Sequence, residues 1–381
     1  MLQMTESSVA PNDTLRKYSA LVDRIRPLSG QGPVLAIDAA RSPLTLLPFQ
    51  SDSVPALVIT SLQDVSPDML DVAVAELARV ATRYVFVTVA IGAGDPWAST
   101  IPGRARAWWE SKFYAAGFGK HPLYQQLVPY AALEHEGHDV VMAFERLPEA
   151  GSTRFTSDVL RIERDLHMDM LRESGRRADA HVVRYTLASE LVHKGDRVID
   201  AACGLGYGSA LVYDCGLADS ILAVDASAFA VEYGHAIFAE RRPGLTFIED
   251  DVHCIARLPE ASADVVISFE TLEHIADPHA FVAQAARVLS PGGRFICSVP
   301  NQWLDESGRD PNPYHLHVFD LEKLLGLFAD DFRIDRVIGQ TAGGGMKHNG
   351  AARTIVDVNP AAPSGDPEWW LVVATRAHRA A

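Results

Sequence analysis

Cysteine is scarce in this chain, positive charge is in the minority, and no long apolar run occurs. The four cysteines, Cys203, Cys215, Cys254 and Cys297, form no C-x-x-C pair and show no histidine-rich zinc spacing. A reduced, cytoplasmic protein without a disulfide framework is the expectation. Lys and Arg number 34 against 49 Asp and Glu, a formal net charge of -15. A phosphate backbone is held by clustered cations, so nucleic acid is not an expected partner. No segment approaches the roughly 20 apolar residues that cross a bilayer. The opening residues M-L-Q-M-T-E-S-S lack the basic start of a signal peptide, so neither secretion nor membrane insertion is expected.

What is present is an ordinary globular composition, 48% hydrophobic and 22% charged over 381 residues. That length suits two domains, each with its own core. The stretch E-A-G-S-T at 149–153 reads as a linker, giving domains at 1–150 and 154–381. Residues 1–30 hold at most one helix, with Leu15, Tyr18, Leu21, Val22 and Ile25 at helical spacing. Val34 to Ile37, Ala56 to Thr60, Tyr84 to Val89 and Asp139 to Glu145 read as strands, and Met69 to Ala81 as an amphipathic helix. Strand, helix and strand at this spacing imply a parallel α/β unit. The aromatic residues of Arg106 to Pro122 read as core or subunit interface.

The organising stretch is V-I-D-A-A-C-G-L-G-Y-G-S, Val198 to Ser209. A short apolar run ends in Asp200 and opens into glycines 204, 206 and 208, the pattern of a strand entering a tight loop before a helix. The dinucleotide fingerprint G-x-G-x-x-G would need its third glycine at Ser209. Asp200 ahead of Gly204 instead suits an adenosyl amino acid whose ammonium needs a counter-charge, which points to S-adenosylmethionine. A nicotinamide dehydrogenase is the alternative that this spacing disfavours.

Further strands are expected at Ser220 to Val224, Leu245 to Ile248, Asp264 to Ser268, Phe295 to Val299, Phe332 to Ile338 and Trp369 to Ala374, with a helix at Pro278 to Leu289. In a doubly wound sheet the carboxyl ends of the strands face the ligand crevice. Asp225, with Ala226 beside it, stands where a ribose presents its hydroxyls, and Asp251, with Val252, where an adenine amino group can donate. His274 is the first titratable base after the fourth strand tip. The loop Pro300 to Phe319 should overhang the crevice, making Asn301, Tyr314, His315 and His317 candidates for acceptor binding and His274 or His315 the candidate base. Paired histidines without evident carboxylate partners do not read as a metal site. Arg154 to Arg184, where arginines and acids balance, reads as a solvated helical surface.

The first half echoes the second in the order and spacing of its apolar runs. L-P-F-Q-S-D-S-V-P-A-L-V-I-T-S-L-Q-D-V (47–65) parallels L-P-E-A-S-A-D-V-V-I-S-F-E-T-L-E-H-I (258–275), but A-A-R-S-P-L follows Ile37-Asp38 in place of a glycine loop. A smaller, degenerate, cofactor-free α/β copy is the expectation, serving dimerisation or shaping the acceptor pocket.

D-A-A-C-G-L-G-Y-G-S, V-D-A-S, E-D-D-V and S-F-E-T-L-E-H-I, with R-V-L-S-P-G-G-R-F, resemble the motifs of class I S-adenosylmethionine-dependent methyltransferases over roughly 160–378. The form A-C-G-x-G-Y-G-S with S-V-P-N and N-P-Y-H is more narrowly similar to a bacterial branch found with glycosyltransferases. The resemblance implies a doubly wound Rossmann-like sheet. It also implies cofactor contacts from Gly204 and Gly206 at the amino acid end, Asp225 at the ribose, Asp251 at the adenine, and Phe269 and Glu270 at the pocket wall. Glu273, Asn301 and Tyr314 are the candidate acceptor-binding residues. The implied activity is O-methylation of a sugar or glycan. An O- or N-methyltransferase for another small molecule and a non-catalytic cofactor-binding partner protein stand as alternatives.

Overall fold

A computed structural model describes residues 34–90, 104–121, 124–125, 128–133, 139–163, 167–328, 331–344 and 346–377. The helix expected within residues 1–30 lies outside them. The chain divides into two compact units, Met1–Thr153 and Arg154–Ala381. The expected linker at 149–153 is part of a short helix, Glu149–Arg154.

The first unit holds a five-stranded sheet of β1 (Val34–Asp38), β2 (Val54–Thr60), β3 (Ala81–Ala90), β4 (Phe118–Lys120) and β5 (Asp139–Arg146), in the order β1-β2-β3-β5-β4. The first three strands are parallel, and β5 and β4 join antiparallel. Helix α1 (Pro67–Val80) begins with Pro67 at its first position, where a missing N–H costs nothing. Its Leu70, Ala73, Val74, Leu77 and Val80 recur at helical spacing and are buried in the unit's core. In α2 (Arg106–Ala115), Trp109 and Phe113 are fully buried, and Phe113 stacks on Phe144 with ring centroids 4.2 Å apart. These aromatics are core.

The second unit is an eight-stranded sheet of β6 (Arg197–Ala201), β7 (Ser220–Asp225), β8 (Leu245–Glu249), β9 (Ala263–Phe269), β10 (Leu289–Pro300), β11 (Phe332–Thr341), β12 (Thr354–Asp357) and β13 (Trp369–Arg376). Its order is β12-β11-β13-β10-β9-β6-β7-β8. Strands β8, β7, β6, β9 and β10 run parallel, and β13, β11 and β12 are antiparallel additions. The chain builds outward from β6 through β7 to β8 and then returns to β9 on the other side of β6. That reversal opens a crevice at the carboxyl ends of β6 and β9, the place where a doubly wound sheet takes its ligand. Asp200 pairs in register with both Ala223 of β7 and Ile267 of β9, so the first acid of the glycine motif sits at the reversal. This is the expected doubly wound Rossmann-like sheet. Edge strand β12 was not anticipated, because four residues, T-I-V-D, carry too little alternation to stand out.

The strand order of the first unit has a parallel in the second. The order β1-β2-β3-β5-β4 matches β6-β9-β10-β13-β11, with the same sense at each pairing. Left-handed residues bracket the second strand of each set: Asp52 (φ 52°) and Ser61 (φ 58°) around β2, Ala261 (φ 54°) and Glu270 (φ 54°) around β9. Strands corresponding to β7 and β8 are absent among the described residues of the first unit. No helix among the described residues is long and apolar enough to cross a membrane.

Candidate active site

The loop after β6 carries three glycines, each required for a different reason. Gly204 is left-handed (φ 55°) and faces open space, with nothing within 4 Å of where a Cβ would stand. Gly206 is left-handed (φ 83°) and a Cβ there would lie 2.2 Å from the Phe247 ring. Gly208 has an ordinary φ, but its Cβ would meet the Tyr185 ring at 2.1 Å. The third glycine therefore lets helix α4 (Tyr207–Cys215) close onto Tyr185 of helix α3 (Arg176–Glu190).

Asp200 was expected to face a ligand ammonium, and the structure corrects this. Its carboxylate lies beneath the loop, 1% exposed, accepting a hydrogen bond from the Ser209 hydroxyl at 2.6 Å and a longer one from Tyr185 at 3.3 Å. Burial pushes its pKa up to about 7. Asp200 ties the first turn of α4 to β6 and offers no surface for direct contact with a ligand.

Asp225 stands half-buried at the tip of β7, where it was expected. Its Oδ2 accepts from the Gly204 N–H at 2.8 Å and its Oδ1 from the Ser227 N–H at 3.0 Å. A carboxylate oxygen has two acceptor sites, so each keeps one for a vicinal diol. Burial raises this carboxyl's pKa, against the two backbone N–H groups that lower it. Ala226, next to it, is exposed. Asp251 is exposed beyond β8 and accepts from the His253 N–H at 2.8 Å, while Val252 is buried. Gly204, Asp225 and Asp251 thus lie at the carboxyl ends of three neighbouring strands, with an open loop face and free acceptor sites. The donor and acceptor pattern fits an adenosyl cofactor.

At the tip of β9, Phe269 presents its ring to the edge of Tyr185, centroids 4.8 Å apart. Glu270 is held left-handed, and its carboxylate is tightly engaged. Oε1 pairs with Arg184 at 3.0 Å and accepts from Ser298 at 2.9 Å, while Oε2 accepts from the Trp369 indole at 2.7 Å. Arg184 is fully buried, donates to Gln340, and lies 4.4 Å from the Trp369 ring centre. The reading of Arg154 to Arg184 as a solvated surface is therefore corrected. Asp169, Asp179 and Arg184 are buried, and Asp179 pairs inside with Arg353 at 2.6 Å.

The loop after β10 does lie over the tip of β9. Its base is closed by a bridge between Asn301 and Phe319. The Leu316 and His317 N–H groups donate to the Glu273 carbonyl at 2.7 and 3.2 Å, and the His317 ring meets the Ile275 carbonyl at 3.0 Å. This docking brings His274 and His315 together, ring centroids 4.6 Å apart. His274 Nδ1 lies 3.0 Å from the Tyr314 carbonyl, so that nitrogen carries the proton and Nε2 keeps a lone pair. Burial lowers the His274 pKa, favouring the neutral ring. His315 Nδ1 is 2.7 Å from Asp310 Oδ2, and its Nε2 is 3.0 Å from the Asn312 amide nitrogen.

The candidate acceptor residues separate in the structure. The Tyr314 side chain is exposed. Asn301 is buried, donating to Asp366 and to the Pro367 carbonyl, and so anchors the base of the loop and does not line the crevice. Glu273 is buried at 1% exposure, with neither carboxylate oxygen hydrogen-bonded among the described residues, and desolvation drives its pKa well above the ordinary value. Sequence reading missed Arg184, Tyr185, Ser209 and Asp310. Only Ser209 carried a signal, as the residue closing the glycine motif.

A family model described as a methyltransferase domain matches residues 199–297. A probable S-adenosylmethionine-dependent methyltransferase of Mycolicibacterium smegmatis is 31% identical over 191 residues, covering 47% of this chain and 70% of that protein. A probable S-adenosylmethionine-dependent methyltransferase of Mycobacterium tuberculosis is 34% identical over 142 residues, 36% of this chain and 48% of the relative. The ubiquinone biosynthesis O-methyltransferase of Maricaulis maris is 29% identical over 120 residues, 31% of this chain and 46% of the relative. The chain thus spans about half the length of the latter two.

Proposed function

The chain belongs to the S-adenosylmethionine-dependent methyltransferases, and from that premise we propose that its second unit methylates a hydroxyl group of a sugar or glycan. The cofactor supplies an electrophilic methyl group on a sulfonium. Gly204 provides the close approach to its amino acid end, Asp225 accepts from its ribose hydroxyls, and Asp251 accepts from its adenine. The protein's remaining task is to align the acceptor oxygen about 3 to 3.5 Å from the methyl carbon and to exclude water.

The observation that carries O-methylation is the free Nε2 of His274. With Nδ1 turned to the Tyr314 carbonyl and partial desolvation of this otherwise exposed ring favouring its neutral form, Nε2 is ready to take a hydroxyl proton as the oxygen–carbon bond forms and the sulfur–carbon bond breaks. An amine acceptor would need no such base. Asp310, Asn312 and His315 give the overlying loop a polar inner side suited to a polyol. A second reading, a phenolic or quinol acceptor, is favoured by the exposed Leu304, Tyr314 and Leu316 of the same loop.

Methyl transfer from labelled S-adenosylmethionine to nucleotide sugars and glycosides, run beside catechols and hydroquinones, separates the two. Turnover on sugars, lost in His274→Ala with cofactor affinity kept, supports the leading reading. Turnover confined to the phenols replaces it, and cofactor binding without turnover on either set favours a non-catalytic partner protein.

The first unit is, on this reading, a degenerate copy of the same fold. Support comes from the shared strand order and the left-handed residues bracketing β2 and β9. Counterparts of β7 and β8, which end at Asp225 and lead to Asp251, do not occur among its described residues, in keeping with a copy that has given up the cofactor. Dimerisation or shaping of acceptor access is its proposed role, and sedimentation of the full chain as a dimer is the expected result.

A further inference from the structure

Glu273 is the least explained group in the site. Its carboxylate is sealed from water, yet neither oxygen has a hydrogen-bond partner among the described residues. The nearby guanidinium of Arg184 pairs with Glu270 through one nitrogen and donates to Gln340 through another, and it makes no hydrogen bond to Glu273. A buried carboxylate left alone costs several kcal/mol, and the two common remedies are a proton and a cation. What lies next to it decides between them. One ligand atom each from Glu273, His274 and His315 lie within 4.8 Å of one another.

We infer that Glu273, His274 and His315 form a binding site for a divalent first-row cation such as Mn²⁺, Co²⁺ or Zn²⁺. Both rings are held as metal-ligating histidines are held. His274 turns Nδ1 to a backbone carbonyl and His315 turns Nδ1 to the Asp310 carboxylate, which fixes each tautomer and leaves Nε2 as the donor. The Asn312 Oδ1 accepts from the Tyr314 N–H, so its amide N–H points at His315 Nε2 and marks where an electrophile belongs. Two imidazoles and a carboxylate suit the borderline cations and leave coordination positions open. Adjacent donors around a cation at about 2.1 Å stand roughly 3 Å apart, so the three side chains draw together on binding and Asn312 yields its place. His317 does not belong to the set, because its Nε2 is spent on the Ile275 carbonyl.

The site deepens the hydroxyl-methylation reading and rests on it for its purpose. An acceptor hydroxyl entering an open position has its pKa lowered as bound water does. Its proton then leaves to solvent, so in the cation-loaded protein the ion takes the place of His274 in activating the hydroxyl, and direct proton transfer to Nε2 belongs to the cation-free chain.

The test uses the full chain, freed of metal by a chelator and of any affinity tag, titrated with Mn²⁺ and Co²⁺ in the presence of S-adenosylhomocysteine. One equivalent should bind, with visible Co²⁺ bands characteristic of imidazole ligation. Glu273→Gln should weaken cation binding at least tenfold while keeping affinity for S-adenosylhomocysteine, and Asp310→Asn, which removes no ligand, severalfold. Wild-type chain that binds S-adenosylhomocysteine but takes up no stoichiometric cation overturns the inference, as does unchanged cation affinity in Glu273→Gln. A chain that takes up the cation at these residues but binds no S-adenosylhomocysteine leaves the site standing and overturns the functional reading instead.

Discussion

Replacing Asp200 with Asn tests whether the acid beneath the glycine loop is held there at an energetic cost. Its pKa is about 7 in the folded chain against an ordinary 3.8, with burial as the leading cause. The folded protein therefore holds this proton more tightly than the unfolded chain does. Its stabilising contribution is full below pH 3.8 and is lost as pH rises toward 7. At about 1.36 kcal/mol per pK unit the whole loss is about 4 kcal/mol, of which about 3 falls between pH 5 and pH 8. Asn keeps the shape, carries no charge at any pH, and can accept from one of the Ser209 and Tyr185 hydroxyls through its carbonyl oxygen while its amide donates to the oxygen of the other. Urea unfolding of both proteins, without cofactor, at pH 5, 6, 7 and 8 should show Asp200→Asn gaining about 3 kcal/mol on the wild type across that range. Parallel profiles, or a variant that loses ground at pH 8, would refute the argument.

The two left-handed glycines should respond differently to alanine. Gly206→Ala adds a left-handed penalty of about 1–2 kcal/mol and a clash with Phe247 costing about 1–3, so both melting temperature and affinity for S-adenosylhomocysteine should fall. Gly204→Ala carries the same left-handed penalty of about 1–2 kcal/mol but meets nothing in the protein, so melting should fall less than in Gly206→Ala while affinity drops at least tenfold; equal melting losses in the two variants would contradict this. Asp264, held at about 2 chiefly by its hydrogen bond from Arg197, contributes stability above pH 3.8 that is lost as pH falls through 2. With Arg197 nearly half exposed, Asp264→Asn should cost only about 1 kcal/mol at pH 7, and nothing near pH 2, by denaturant titration at both pH values.

The buried strands were legible because each is a short apolar run bounded by turn residues, and β6 to β10 fall where the pattern places them. The glycine loop and Asp225 were legible for a local reason, since the loop's backbone demands and the strand tip lie within one β-loop-helix-β stretch. Arg184 was not. A segment with balanced charges reads as solvated, and nothing in it tells which arginine turns inward to meet Glu270, a partner supplied by a distant strand tip. Asn301 looked like an acceptor ligand because it opens a long loop, but its partners Asp366 and Pro367 come from the approach to β13. The meeting of His274 with His315 depends on the Glu273 carbonyl capturing two N–H groups of the loop, which no periodicity encodes. The buried, unpartnered state of Glu273 likewise belongs to packing.

Calorimetric titration of the full chain with S-adenosylhomocysteine, beside Asp225→Ala and with NAD as a parallel ligand, goes to the root of these conclusions. One-site binding of S-adenosylhomocysteine by the wild type, weakened at least tenfold in Asp225→Ala, and no binding of NAD is the expected result. A wild type that binds neither, or prefers NAD, or an Asp225→Ala variant that binds S-adenosylhomocysteine as tightly as the wild type, would contradict the cofactor site described above.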